Sequence, residues 1–120
     1  MLTKAALMND IDLFNELLNI DNPAKCKLIG RTLKNFNQEL WDKYIEDIAY
    51  NVLYQKFSSS EELKLLLVNT NDSIIAEATE KDKIWGCGIN INDKKINDSK
   101  EWLGKNILGF SLMKVRNSIK

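Results

Sequence analysis

The stretch NQELWDKYIEDIAYNVLYQKF, residues 37–57, decides the fold class of this sequence. Its apolar residues recur at steps of three and four, and charged side chains occupy the opposite side. This spacing places the apolar side chains along one face of an α-helix. We therefore predict a long central helix whose core-facing residues are Trp41, Tyr44, Ile45, Ile48, Val52 and Leu53.

The segments before this helix predict further, shorter helices. Residues 1–8 are good helix formers, and either Asp10 or Asp12 can cap a second helix through a side-chain oxygen. Asn22 supplies an N-cap for a third helix, with Pro23 at the first helical position, where the missing N–H costs nothing. The N-terminal part of the chain is thus predicted to be a series of short helices.

After the central helix, the sequence predicts two more helices and a short extended region. A capping box runs from Ser59 to Glu62 and leads into a leucine-rich helix, and residues 104–120 carry apolar side chains at helical spacing. Between them, the run SIIAEAT, residues 73–79, favours β-structure. We expect a single, mainly α-helical domain with one or two short strands near residues 73–91, which leaves an α+β arrangement open.

The composition of the chain disfavours several broad classes of protein. The 120 residues suffice for one core, and 17 basic residues balance 17 acidic ones, so neither a polyanion-binding stripe nor membrane-surface binding is favoured. No apolar run is long enough to span a bilayer. The two cysteines, Cys26 and Cys87, are far apart and no signal peptide is evident, so a reducing cytoplasm is the expected location.

The sequence contains no histidine. This absence excludes Ser-His-Asp and Cys-His nucleophilic sites, as well as any imidazole general base. Proton transfer in an enzyme of this composition would fall to carboxylates, lysine, tyrosine or cysteine. Two separated thiols do not complete a four-ligand zinc site, so we expect neither a metal nor a cofactor.

The stretch KDKIWGCGINI, residues 81–91, is the most unusual part of the chain. It combines Asp82 and Trp85 with two glycines, Gly86 and Gly88, and is too rich in glycine for a helix interior. Glycines at this spacing allow backbone N–H groups to approach a phosphate or a ribose, and they fit a tight turn equally well. Both interpretations stay open from the residues alone.

Three runs of the chain, taken in order, resemble the NADAR family, also called YbiA-like proteins. They are GRTLKNF at residues 30–36, KFSSSEELKLLLVNTNDSIIAEATEKDKIWGCGI at residues 56–89, and EWLGKNILGFSLMKVR at residues 101–116. The resemblance extends over residues 1–120 and implies a YbiA-like helical domain. Members of the family normally carry an additional N-terminal segment with a Phe-rich motif and a glutamate, and neither is found here.

The resemblance implies cleavage of the N-glycosidic bond between a ribose and a nitrogenous base. Two substrate classes follow from it, phosphoribosylated pyrimidine intermediates of riboflavin biosynthesis and ADP-ribosylated guanine in nucleic acid. The expected partner is therefore a small ribosyl, phosphoribosyl or ADP-ribosyl compound, with an ADP-ribosylated nucleic acid as the alternative. A non-catalytic module that binds ADP-ribose or a nucleotide, or an inactive truncated homologue, is the alternative to an enzyme.

The resemblance also assigns roles to two catalytic residues. Lys4 matches the family's lysine in the first helix, which is thought to attack the anomeric carbon and form a Schiff base. Apolar neighbours, here Ala5, Ala6 and Leu7, favour the neutral and nucleophilic form of a lysine. From the residues alone, a surface lysine near a frayed terminus is the alternative. Asp82 is expected to protonate the leaving base or to stabilise the developing positive charge, and its alternative role is that of a solvated turn acid or a cap.

The remaining candidates are expected to bind substrate, each beside a plainer interpretation. Trp85 and Trp102 can stack on a base. Trp102 can equally be a core anchor, whereas Trp85, next to Gly86, has no place in a helix core. Arg31 can pair with a phosphate, or can be an ordinary surface arginine. Asn106 can bond a sugar or base, or can cap the last helix. Glu77 is a second candidate acid, but a role as a solvated turn residue is the more common one.

Overall fold

The longest helix, α4, spans Gln38–Ser58 and confirms the prediction made for residues 37–57. The computed structural model describes all residues from 1 to 120. The helices are α1 (Leu2–Leu7), α2 (Ile11–Leu18), α3 (Pro23–Gly30), α4, α5 (Glu61–Val68) and α6 (Ile107–Ile119), with two short 3₁₀ helices at Lys94–Asn97 and Ser99–Glu101. The mainly α class is confirmed, and no helix is both long and apolar enough to cross a membrane.

Contacts divide the chain into two compact units, residues 1–45 and residues 46–120, which we call the first and the second unit. Helix α4 contributes residues to both. The match between sequence and helical caps is good in the first unit. Asp10 caps α2 by accepting a hydrogen bond from the backbone N–H of Leu13, and Asn22 caps α3, with Pro23 beginning that helix.

Each unit has a hydrophobic cluster of its own. In the first, the buried residues Ala5, Leu13 and Leu17 join α1 to α2. In the second, Leu67 of α5 packs with Val115 and Ile119 of α6. Burying a leucine or isoleucine side chain is worth about 1.5–3 kcal/mol, so these helices depend on packing more than on their intrinsic propensity.

The buried stripe of α4 is narrower than we predicted. Trp41, Ile45 and Ala49 are buried, whereas Tyr44 and Val52 are 36% and 51% exposed. Four residues advance a helix by about 40° more than one full turn, so a stripe that repeats every four residues rotates around the helix axis. Tyr44 and Val52 are left to one side of that stripe, and the prediction that they face the core is wrong.

The capping residue of α5 also differs from the prediction. Ser60, and not Ser59, is the N-cap, and its hydroxyl accepts a hydrogen bond from the N–H of Leu63 at 3.4 Å. The Ser59 hydroxyl instead donates to the carbonyl of Lys56 at 2.8 Å. Ser59 therefore closes the end of α4, and the next residue begins α5.

The predicted short strands near residues 73–91 do not form. Residues 73–79 have no regular secondary structure. A strand needs a neighbouring strand to take its backbone hydrogen bonds, but here the carbonyl of Ile75 and the N–H of Glu77 bond to the side chain of Asn106. The carbonyl of Glu77 accepts from the N–H of Cys87 at 2.9 Å. An asparagine side chain thus takes the place of a partner strand.

Candidate functional site

The residues predicted to form the site are distributed over both units. Lys4 and Arg31 belong to the first unit. The others belong to the second, and they are Asp82, Trp85, Gly86, Gly88, Trp102 and Asn106.

Lys4 lies on α1, and its amine is placed between two aromatic rings. The Nζ atom is 4.6 Å from the ring centroid of Phe36 and 4.9 Å from that of Trp41. Trp41 is buried and Phe36 is 42% exposed, so one ring is fixed in the interior and the other borders solvent. Both distances are within the range of a cation–π contact.

In the first unit, the ammonium group of Lys4 is contacted by these ring faces and not by an acid. No carboxylate of the first unit forms an ion pair with its ammonium group. An aromatic face attracts a cation through its quadrupole without bonding covalently to it. The same two faces would favour an iminium ion on this nitrogen, since it carries the same positive charge.

Arg31 follows α3 as its C-cap residue and is exposed. The preceding Gly30 is buried and packs against the side chain of Met1. The guanidinium group of Arg31 is thus accessible to an anion, as the substrate-binding prediction requires, but this geometry is also that of an ordinary surface arginine.

Asp82 is held by a turn of its own making. Its Oδ1 atom accepts hydrogen bonds from the backbone N–H groups of Ile84 and Trp85, both at 2.9 Å. This arrangement is an Asx turn, which fixes the direction of the carboxylate. The other oxygen, Oδ2, has no hydrogen-bond partner within the second unit, so it could act on a proton while Oδ1 holds the turn.

The backbone that follows Asp82 forms hydrogen bonds with the N-terminus of α6. The carbonyls of residues 83–86 accept hydrogen bonds from the N–H groups of residues 105–108 at 2.8–3.1 Å. Free N–H groups at a helix N-terminus commonly bind phosphate. Here these groups are occupied by protein carbonyls, so the start of α6 is not an open anion site.

The glycines of this region are explained by backbone packing. A Cβ atom on Gly86 would lie 2.6 Å from the carbonyl oxygen of Asp82 and 2.6 Å from Cγ2 of Thr79. Gly88 has a φ of +73°, and a Cβ there would be 2.9 Å from the nitrogen of Gly104. Both glycines are therefore needed for close approach of backbone to backbone. Their use in approaching a ligand stays a prediction.

Asn106 connects three segments from the interior of the second unit. It is fully buried, has a left-handed backbone with a φ of 50°, and is not a side-chain cap of α6, so that alternative is wrong. Its Oδ1 accepts from the N–H of Glu77 at 3.0 Å, and its Nδ2 donates to the carbonyl of Ile75 at 2.9 Å. We call residues 75–77, 82–88 and 103–109 the loop assembly.

The two tryptophans predicted to stack on a base are half-buried. Trp85 is part of the Asp82 turn through its backbone N–H. The indole N–H of Trp102 donates to the carbonyl of Ile96 at 3.0 Å, which anchors this ring to the loop before it. Both rings retain some exposed surface, and their stacking on a base stays a prediction.

Sequence reasoning did not single out three residues that organise these regions. Phe36 contacts Lys4, and a Cβ atom on Gly104 would overlap the carbonyl oxygen of Gly86. Arg116 is 4% exposed, and its guanidinium donates to Thr70 at 2.8 Å and to the Ser73 carbonyl at 2.9 Å. A usable signal existed for Gly104 alone, since glycines that cluster around a helix start indicate close backbone approach.

Comparison with known proteins identifies the family. The NADAR domain matches residues 1–120. This chain belongs to the NADAR family. It is 36% identical over 121 residues to protein irg-1 of Caenorhabditis elegans, covering 99% of this chain and 57% of that protein. It is 37% identical over 116 residues to N-glycosidase R617 of Acanthamoeba polyphaga mimivirus, covering 97% and 68%.

A bacterial relative gives the same family with lower identity. The chain is 29% identical over 104 residues to N-glycosidase YbiA of Shigella flexneri serotype 5b (strain 8401), covering 87% of this chain and 58% of that protein. The chain thus spans 57–68% of the length of these three relatives.

Proposed function

We propose that this chain is an N-glycosidase that cleaves the bond between a ribose and a nitrogenous base, with Lys4 as its nucleophile. The observation that carries the proposal is the Lys4 amine, which lies between two aromatic rings and has no carboxylate partner in its unit. The names of two relatives, R617 and YbiA, support the reaction class.

In the proposed step, the ammonium group of Lys4 first loses a proton to water, and its nitrogen then attacks the anomeric carbon of the ribose. A C–N bond forms to Nζ, the bond to the base breaks, and the base leaves with the electron pair and gains a proton. The sugar ring then opens as the proton from Nζ moves to the ring oxygen, which leaves a Schiff base. Water hydrolyses this imine to the free aldehyde sugar and regenerates the amine.

A borohydride trap tests this step. Reduction during turnover should add the sugar mass to the peptide that contains Lys4, and Lys4→Arg should abolish the adduct and lower base release about 1,000-fold or more. Arginine keeps the positive charge between the rings but cannot form an imine. Lys43→Arg is the matched control, because Lys43 also contacts a ring, that of Tyr44, and has no proposed role. An unmodified Lys4 in an active protein would exclude the Schiff base.

The proposed role of Asp82 is to protonate the departing base or to stabilise positive charge on the sugar. Asp82→Asn preserves an oxygen for the N–H groups of Ile84 and Trp85 while removing the carboxylate. We expect base release to fall about 100- to 10,000-fold, with an unchanged circular dichroism spectrum. Full activity of this variant would remove Asp82 from the mechanism.

The substrate class is proposed to be a small phosphoribosylated pyrimidine in preference to ADP-ribosylated guanine in nucleic acid. The zero net charge supports this order, because phosphate contacts dominate nucleic-acid affinity, although one flipped base could still enter a pocket. Substrate contacts are proposed for Arg31, Trp85, Gly86, Gly88, Trp102 and Asn106.

Mass spectrometry of the reaction products decides between the two substrate classes. Tight binding of ADP-ribose without release of base from either would instead favour a binding module.

A further inference from the structure

The second unit contains a cavity of about 750 Å³ that includes none of the residues proposed for catalysis. One wall of the cavity is a face of α6. The others are formed by Ile74 in the segment after α5, Ser99 in the 3₁₀ region and Glu46 of α4. Cavities that hold small molecules typically measure about 300–1,000 Å³. The volume is therefore suited to a ligand about the size of a nucleotide.

The floor of the cavity is apolar and is formed mainly by α6. Ile107, Phe110 and Ser111 follow one another at helical spacing on the same side of α6, with Met113 beside them and Ile74 opposite in the lining. Phe110 and Ile74 are 47% and 63% exposed, so apolar surface is available to a bound molecule. Burial of such surface favours binding through the hydrophobic effect.

Ser111 is the most informative residue of the lining. The residue is 4% exposed as a whole, and its hydroxyl, which forms no hydrogen bond within the second unit, is open to the cavity. A helical serine commonly bonds to the carbonyl four residues before it, as Ser118 of the same helix does with Lys114 at 3.1 Å. The hydroxyl of Ser111 makes no such bond and is open to the cavity, so it is available to bond to a ligand atom.

The charged groups of the lining favour an anion. Lys105 and Lys114 border the cavity, and Glu46 is the acidic residue among the lining side chains. None of these three side chains takes part in an ion pair within the second unit, where Lys120 and Asp72 form a pair at 3.8 Å. The lining therefore carries two ammonium groups against one carboxylate.

We propose that this cavity binds a small amphiphilic anion, with an apolar or aromatic body against Ile107 and Phe110 and its anionic group at Lys105 and Lys114. The hydroxyl of Ser111 bonds to a polar atom of the same ligand. This proposal does not depend on the glycosidase proposal, because neither Lys4 nor Asp82 lines the cavity.

A pair of fluorescent probes tests the charge requirement directly. 8-Anilinonaphthalene-1-sulfonate has the aromatic body and the anion, and N-phenyl-1-naphthylamine has the same ring framework without the sulfonate. We expect the sulfonate to bind one site per chain and at least about tenfold more tightly than the neutral probe, since hydrogen bonds that involve charged groups are stronger than neutral ones. Equal affinity for the two probes, or no stoichiometric binding of the sulfonate, would overturn the proposal.

Substitutions locate the binding site. Lys114→Glu should weaken sulfonate binding about tenfold, and Ser111→Leu should abolish it by filling the cavity. Lys64→Glu, on α5 and outside the lining, is the matched control and should leave the affinity unchanged. If Ser111→Leu does not fold, Ser111→Ala with amide chemical-shift mapping of α6 gives the same information. An equal effect of Lys114→Glu and Lys64→Glu, or shifts confined to residues outside α6, would reject this site.

Discussion

Lys4 and Asp82, the two residues with proposed catalytic roles, are held by different kinds of interaction. The Lys4 amine is positioned by side chains, the rings of Phe36 and Trp41. The Asp82 carboxylate is positioned by backbone N–H groups, inside a loop assembly whose segments bond to one another through their backbones. A contact between side chains can be altered one residue at a time, whereas a backbone assembly tolerates little change at any of its close approaches.

The largest effect is expected from Gly86→Ala. The added Cβ would meet the backbone carbonyl of Asp82 and the methyl group of Thr79, both at 2.6 Å, and the carbonyl cannot move without displacing the turn of Asp82. Overpacking that shifts the backbone costs about 1–3 kcal/mol, and we expect the upper end of this range here, because the clash involves a backbone atom. Denaturant unfolding followed by circular dichroism measures the loss.

Gly30→Ala is the control from the first unit. Its Cβ would meet the Sδ atom of Met1 at 2.6 Å, but this is the far end of a flexible side chain. Gly30 also ends α3, where alanine is a better helix former by up to about 1 kcal/mol. We expect a change of less than about 1 kcal/mol. Equal losses for the two variants would show that the loop assembly is no more sensitive than a helix end.

The next effect concerns the buried amide of Asn106. Asn106→Ala removes both hydrogen bonds to the segment 75–77 and leaves the N–H of Glu77 and the carbonyl of Ile75 without their partners. Asn71→Ala is a matched control, because Asn71 also has a left-handed backbone, with a φ of 52°, but is exposed. The first variant should lose about 2 kcal/mol more than the second in denaturant unfolding. Equal losses would attribute the role of Asn106 to its backbone conformation alone.

Local signals in the sequence predicted most of the fold. Asp10, Asn22 and Pro23 were predicted as helix-start residues because capping depends on atoms only two or three residues away. The periodicity of residues 37–57 predicted α4 for the same reason. The strands near residues 73–91 were predicted wrongly, because the partner of that segment is the side chain of Asn106, 29 and 31 residues away.

The candidate site was less accessible to such reasoning. The combination of Asp82, Trp85 and Gly86 could be recognised in the sequence as a turn with specialised residues. In the structure they form one turn, in which Asp82 accepts from the N–H of Trp85 and Gly86 lies close to the carbonyl of Asp82. The ring of Phe36 over Lys4 could not be predicted, since the two residues are 32 positions apart and no periodicity connects them. Long-range pairing of individual side chains leaves no regular pattern in one sequence.

A smaller effect is expected at the rings around Lys4. Phe36→Leu removes one aromatic face and uncovers the amine, so acylation of Lys4 by acetic anhydride should become about two- to fivefold faster, equivalent to a cation–π contact of about 0.5–1 kcal/mol. Quantitative peptide mass spectrometry measures the rate. Lys43, 5.2 Å from the ring centroid of Tyr44, is an internal control in the same digest and should keep its rate. An unchanged rate at Lys4 would mean that Phe36 does not shield it.

The smallest effect is a pH dependence that arises in the first unit. Backbone hydrogen bonds from the N–H groups of Lys34 and Leu13 lower the pKa of Asp10 from its ordinary value of 3.8. A carboxylate with a lowered pKa in the folded state binds protons less readily there than in the unfolded chain. Its stabilising contribution is therefore complete above the unfolded pKa and is lost as the pH falls through the folded pKa.

Asp10→Asn should thus reduce the free energy of unfolding at pH 6, and the difference from the unmodified protein should shrink as the pH falls below about 3.8. Denaturant unfolding between about pH 2.5 and pH 6 measures both curves. Asn22→Ala is the control, because Asn22 caps α3 through a bond to the N–H of Lys25 at 3.1 Å without any titrating group. The loss of unfolding free energy in Asn22→Ala should not vary with pH on account of the cap. The loss of unfolding free energy in Asp10→Asn could instead stay constant down to the lowest pH. This result would show that the charge of Asp10 adds nothing to its two hydrogen bonds, and that its cap acts in the same way as the neutral cap of α3.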